Sequence, residues 1–278
     1  MRIDSHHHFW NYTPEAYDWI GSDTGILKRD FTPEDLALAT GEFGITGVIS
    51  VQARTDEAEN VFLLEYAASH DIVRGVVGWL DLTDRGVADK IARFAENPKA
   101  VGIREVLQGL EDREYCLRDD FNHGLSLLHD FGLAYDILIF GDQLPAAAKL
   151  ADRHPAQTFI LDHIAKPLIG PAGVDPLWEQ GIRALAEREH VFCKLSGMVT
   201  EVIPALEDWT PDLLRPWFEV VLDAFGPYRL MFGSDWPVSL LRGEYADWVQ
   251  CVDFWVKELS AAERAAILGG TAAQAYGV

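Results

Sequence analysis

The chain has 278 residues, room for two average domains or one large α/β barrel, and 49% of them are hydrophobic and 11% aromatic, including nine Trp, enough for one extensive core. Lys plus Arg number 23 against 44 Asp plus Glu, a net charge of −21, which repels phosphates and anionic membrane surfaces and so excludes nucleic acid and membrane as expected partners. Three cysteines, Cys116, Cys193 and Cys251, are odd in number and widely spaced, which excludes a disulfide framework or a thiolate zinc finger and fits reduced thiols in a cytoplasm.

The first element is a short strand that runs into Asp4-Ser5-His6-His7-His8-Phe9-Trp10. Alternate side chains of an extended strand share a side, so His6 and His8 point together and His7 away. Buried imidazoles that converge need a metal, a substrate or acidic partners. The competing reading, a tag or surface His run, sits badly with an interrupted run that continues directly into Phe9-Trp10. A polar, aromatic loop through Tyr12, Pro14, Tyr17 and Trp19 follows, placed to cover the end of a sheet. Thr32, Pro33 and Asp35 read as N-cap, first helical residue and third residue of a helix. The run 44–52 is short, β-branched and bounded by glycine, a strand buried on both faces.

The alternation then repeats. Helix is expected over 58–69, 87–96, 121–131, 143–153, 177–188 and 213–225, with 245–258 and 261–268 closing the chain. Strands are expected over 73–80, 100–104, 134–138, 158–161, 191–195 and 229–232. Eight short strands each followed by helix, with no long linker, predict an α/β protein of (β/α)8 TIM-barrel type, a single domain over 1–278. The competing doubly wound open sheet requires a glycine-rich phosphate loop after an early strand, and neither GxGxxG nor GxxxxGKS occurs. The opening MRIDSHHH carries no apolar signal segment, and no run approaches the ~18 apolar residues of a spanning helix. A cytoplasmic protein is expected, monomeric or homo-oligomeric.

Chemistry in such a barrel collects where strands end at their carboxyl side. The residues there are His6 and His8, Gln52 and Arg54, Trp79 and Asp81, Arg104 and Glu105, Asp136, Asp162 with His163 and Lys166, Lys194 and Ser196, and Asp235 with Trp236. Every strand end carries a polar or ionisable group.

The opening DSHHHFW, the segment DHIAKP (162–167) and the segment FGSDWP (232–237) resemble the amidohydrolase superfamily, and together its sugar-lactone hydrolase branch of fuconolactonases and rhamnonolactonases. The resemblance spans essentially the whole chain. It implies a metal set of His6, His8 and Asp235, two nitrogens and one oxygen with a position left for water, for one divalent ion, zinc before others. The fifth strand carries Tyr135-Asp136 and no histidine, which argues against a two-metal centre, and a metal-independent variant, in which Asp235 activates a free water, stays open. Asp235 and His163 are the expected catalytic residues, Asp235 as the base that later returns its proton to the ring oxygen and His163 as a further ligand or a donor to the carbonyl. Trp10, Arg54, Trp79, Arg104 and Lys166 are the expected substrate-binding residues, and Trp236 faces the same mouth. Each has a structural alternative: a helix cap for Asp235, a packed core histidine for His163, salt bridges for the cations and core packing for the tryptophans. His70, His123, His129, His154 and His190 lie in or beside helices and read as surface or packing residues. Asp4 shares the strand face of His6 and either orients an imidazole or fills the barrel floor.

The expected reaction is opening of a small sugar lactone such as L-fuconolactone to its aldonic acid. The alternatives are hydrolysis of an aromatic-pathway dicarboxylate lactone, which calls for several convergent arginines, metal-dependent decarboxylation, and a non-catalytic sugar-binding barrel.

Overall fold

The computed structural model describes residues 1–278, the side chains of 22 and 23 apart. Eight strands, β1 (Ile3–His7), β2 (Gly47–Val51), β3 (Val73–Gly78), β4 (Ala100–Val106), β5 (Ala134–Leu138), β6 (Phe159–Leu161), β7 (Val191–Leu195) and β8 (Leu230–Phe232), form one parallel sheet in sequential order. The sheet closes where β1 meets the residues after β8: the Asp235 N–H donates to the His6 carbonyl at 2.8 Å and the His8 N–H to the Trp236 carbonyl at 2.7 Å. This is the (β/α)8 barrel, with both faces of every strand covered, which explains runs of Val, Ile and Leu in place of alternation.

The helices are α1 (Pro33–Thr40), α2 (Glu57–Ser69), α3 (Val87–Ala95), α4 (Asp119–Ser126), α5 (Leu144–Arg153), α6 (Pro176–Ala186), α7 (Pro211–Phe225), α8 (Tyr245–Val256), α9 (Ala261–Ala265) and α10 (Thr271–Tyr276). Local chemistry starts several of them. Thr32 and Asp35 exchange hydrogen bonds in a capping box, and the Asp56, Asp175 and Thr210 side chains accept from first-turn N–H groups of α2, α6 and α7. The helix expected over 121–131 is instead α4 followed by a tighter turn at Leu128–Phe131, ended by Gly132 at φ 68°. A final helix, α10, was not expected.

Two apolar cores result. The larger lies between barrel and helices; the smaller fills the barrel itself with Ile3, Ile49, Val77, Ile160 and Met231, and Ala272 and Tyr276 of α10 plug it from below. α10 thus closes the lower end of the barrel. No helix among the described residues is long and apolar enough to cross a membrane.

Candidate active site

His6 and His8 converge at the top of β1, with their Nε2 atoms 3.3 Å apart. Asp235 joins them: its Oδ1 lies 3.4 Å from His8 Nε2, 3.8 Å from His6 Nε2 and 3.9 Å from His163 Nε2. The carboxylate is turned to the histidines and away from a helix terminus, so the capping alternative is not realised. His7 faces away and pairs with the Ser50 hydroxyl at 2.9 Å.

The donor set fits a divalent metal. His8 Nδ1 lies 2.8 Å from the Val51 carbonyl, which only accepts, so this nitrogen carries the proton and Nε2 presents a bare lone pair. His6 Nδ1 lies 3.3 Å from Asp162 Oδ1 and 3.2 Å from the Lys194 ammonium, and its Nε2 lies 3.3 Å from the Arg104 guanidinium. The His8 lone pair, the His6 nitrogen and a carboxylate oxygen turned to one point are the nitrogen, nitrogen, oxygen set that a divalent ion takes. Their separations, 3.3 to 3.8 Å, are close to the edge of about 3.3 Å that a tetrahedron with bonds near 2.0 Å requires. His6, Asp162 and His163 also lie within ligand range of one another, but Asp162 is already engaged by Arg104 at 2.9 Å and Lys194 at 2.9 Å.

Backbone strain concentrates here. Among the described residues the only non-glycine ones with positive φ are His163, Ile164, Ala165, Lys166 and Asp235, at 47 to 59°, a conformation costing about 1–2 kcal/mol each. The left-handed turn after β6 delivers His163 to the cavity, and the Trp178 indole N–H holds it by donating to the Ile164 carbonyl at 2.8 Å. His163 Nδ1 meets the Ser196 hydroxyl at 2.9 Å, in space left by Gly197, where a Cβ would stand 2.5 Å from that nitrogen.

Burial sets the electrostatics. It pushes His163 down to about 4 and His6 well below its ordinary value, so both are neutral near pH 7. For Asp235 burial acts in the opposite sense, yet His163, His8 and Lys166 outweigh it and hold the carboxyl below its usual range. Asp4, pushed up to about 6 by burial, accepts from the N–H groups of Ser234 at 2.8 Å and His6 at 3.2 Å and from the Tyr245 hydroxyl at 3.1 Å. It therefore fastens β1 to the loop after β8 and touches no imidazole ring.

Above these groups opens a cavity of about 490 Å³. Arg54, Arg104 and Lys166 all line it. Each is already held by a carboxylate: Arg54 by Glu59 at 2.8 Å, Arg104 by Asp162 at 2.9 Å and Lys166 by Glu201 at 3.4 Å. The salt-bridge alternative therefore describes all three.

The tryptophans require a correction. Trp10 does not reach the cavity: β1 ends at His7, the chain then pairs Trp10 with Phe31, and the fully buried indole donates to the Leu27 and Arg29 carbonyls at 3.3 and 2.9 Å. Trp79 also stays off the cavity lining, because its indole turns to Glu105 at 2.9 Å. Trp236 is buried against Phe31. The aromatic side chain on the cavity is Trp19, 43% exposed and set edge-on against Trp10 at 5.8 Å. Strand periodicity cannot place a loop residue; the signal available was the aromatic loop itself.

Residues singled out less sharply by sequence form the layer beneath. Asp162, Asp136 and Lys194 are fully buried, with the Lys194 ammonium against Asp136, 2.9 Å from Asp162 and 3.2 Å from His6 Nδ1. Gln52 accepts from Arg104 at 2.9 Å.

The amidohydrolase family model matches residues 3–278. An L-fucono-1,5-lactonase of Burkholderia multivorans is 40% identical over 289 residues, covering 99% of this chain and 96% of that one. Another of that name from Burkholderia ambifaria is 35% identical, covering 99% and 95%. The crystal structure of an amidohydrolase from Burkholderia multivorans with bound zinc superposes with a TM-score of 0.95 at 40% identity, over 100% of this chain and 99% of that one.

Proposed function

The chain belongs to the amidohydrolase family, and on that premise we propose that it hydrolyses a neutral, hydroxylated sugar lactone, of the class named by L-fucono-1,5-lactonase, to the aldonic acid. One observation carries the choice of substrate. Every cavity cation is already neutralised by a protein carboxylate, and Glu15, Asp18 and Asp56 add further negative charge to the lining. A dicarboxylate lactone would enter without a free cation to meet either charge, whereas the hydroxyls of a sugar find acceptors and donors on every side. Trp19 offers a face for the apolar side of the ring.

His6, His8 and Asp235 would hold the divalent ion, zinc by the likeness to the zinc-bound amidohydrolase. Bound there, it supplies a water of lowered pKa and polarises the lactone carbonyl. Asp235, kept ionised at neutral pH, takes the proton as the water oxygen bonds to the acyl carbon, and returns it to the ring oxygen as the acyl C–O bond breaks. His163 is neutral, and a Ser196 hydroxyl that donates to its Nδ1 leaves an Nε2–H to hydrogen-bond the carbonyl oxygen. The leaving alcohol stays tethered, so one base suffices.

The test is a pH-indicator assay on a panel of D- and L-aldonolactones and a pyrone dicarboxylate lactone, with Asp235→Asn beside the wild type. Turnover of a sugar lactone that falls at least 10²-fold in Asp235→Asn is the expected result. Turnover of the dicarboxylate alone, or an unaffected Asp235→Asn, would overturn the reading.

A further inference from the structure

We propose that Tyr276, on the last helix, is a positioning residue for the cavity at the opposite end of the barrel, acting through Asp136 and Lys194 on His6. Its kinetic arm rests on the lactonase reading; its spectroscopic arm does not.

The path is continuous and buried. The Tyr276 hydroxyl lies 2.9 and 2.7 Å from the two Asp136 oxygens. Asp136 receives the Lys194 ammonium, which also reaches Asp162 Oδ1 at 2.9 Å and His6 Nδ1 at 3.2 Å. The same ammonium stands 5.5 Å from the centre of the Tyr276 ring, within cation–π range. Asp136, Asp162, Lys194 and His6 are fully buried and Tyr276 is 5% exposed. Tyr276 thus grips Lys194 twice, from beneath through its ring and from the side through Asp136.

The fold is arranged to bring it there. Before α10 the chain passes so close to β1 that a Cβ on Gly269 would stand 2.9 Å from the Ile3 nitrogen and 3.2 Å from the Met1 carbonyl oxygen. Glycine permits that approach, and α10 then turns Ala272 and Tyr276 into the barrel. Apolar contact would be satisfied by phenylalanine. The hydroxyl has a separate consequence: Asp136 has only Lys194 and Tyr276 as side-chain partners among the described residues. Without the hydroxyl, one carboxylate must take its remaining hydrogen bonds from Lys194. That draws the ammonium towards Asp136 and away from Asp162 and His6, whose ring orientation depends on both neighbours.

The experiment is Tyr276→Phe, with Ala273→Gly as a variant that weakens the same helix and leaves the hydroxyl in place. Steady-state kinetics on L-fucono-1,5-lactone, thermal midpoints and ring ¹⁵N resonances of ¹⁵N-histidine-labelled protein are recorded for each, the His6 signals being identified by their loss in His6→Asn. In Tyr276→Phe, kcat falls at least tenfold with KM within twofold and the His6 resonances move, whereas Ala273→Gly lowers the midpoint with kcat and the His6 resonances unchanged. Asp136→Asn breaks the same path one link higher, and its loss of kcat does not add to that of Tyr276→Phe; it also serves if Tyr276→Phe does not fold. Unmoved His6 resonances in Tyr276→Phe and Asp136→Asn, or the same changes in Ala273→Gly, would overturn the proposal. If the wild type opens no sugar lactone, the functional reading fails and the His6 resonances alone decide this one.

Discussion

Gly197→Ala separates the stability of this barrel from the placement of His163. Gly197 has φ 64°, so alanine there pays the left-handed penalty, about 1–2 kcal/mol. For a chain of this size that lowers the thermal midpoint by roughly 2–8 °C. A second cost falls on the site. The new Cβ would lie 2.5 Å from His163 Nδ1 and 2.6 Å from its Cγ, inside the 3.4 Å at which ordinary contact begins. The imidazole must move by roughly 1 Å, a misplacement that costs on the order of 10²-fold in rate, or about 2.7 kcal/mol of transition-state stabilisation. Gly132 provides the control: it has φ 68° and ψ 20°, the left-handed region, and nothing within 4 Å of its added Cβ. Gly132→Ala should show a fall in midpoint of that size with kcat preserved, whereas Gly197→Ala should lose about 10² in kcat on L-fucono-1,5-lactone. If Gly197→Ala keeps kcat within twofold while its midpoint drops as in Gly132→Ala, the chemistry does not depend on where His163 stands.

Three further outcomes are expected. Trp19→Ala should raise KM for a sugar lactone about tenfold, some 1.4 kcal/mol, with kcat little changed, while Trp10→Phe should lower the thermal midpoint and leave KM alone; the reverse pattern would return the substrate wall to Trp10. Dialysis against a strong chelator should abolish turnover and zinc should restore it, with metal content following activity near one ion per chain; full activity at negligible metal content would establish that Asp235 activates a free water. Burial pushes the Cys116 thiol up to about 11, and raises Cys193 and Cys251 as well. Ellman's reagent at pH 8 should therefore find no reactive thiol until the protein unfolds, and a rapid reaction of the native chain would contradict their burial.

The barrel was legible because its signals are local. Short β-branched runs, capping residues such as Thr32 with Asp35, and the even return of helix after strand each lie within a dozen residues. The core of the site was legible for a related reason: His6, His8, His163 and Asp235 sit at or just beyond strand ends, where topology fixes position even when the backbone is unusual. The tryptophans failed on that same assumption. Alternation along β1 carries His6 and His8 to one side, but the strand stops at His7 and Trp10 answers to its new partner, Phe31. Trp19, on a loop with no period to extrapolate, took the place expected of it.

The layer under the histidines was the least legible part, and the reason is physical. A buried lysine is tolerable only with carboxylates around it, yet Lys194 on β7, Asp136 on β5, Asp162 after β6 and Tyr276 on α10 are scattered over more than half the chain. Only closure of the barrel brings them within 3 Å or so of one another. Such a cluster is costly to bury and contributes little net stability against an apolar packing of similar volume. Its position offers the compensating use. Arg104 and Lys194 clamp Asp162 from two sides, and Asp162 faces the nitrogen of His6 turned away from the cavity. A ring fixed from behind keeps its other nitrogen aimed at Asp235 without rearrangement during the reaction, which is where a preorganised site gains its rate.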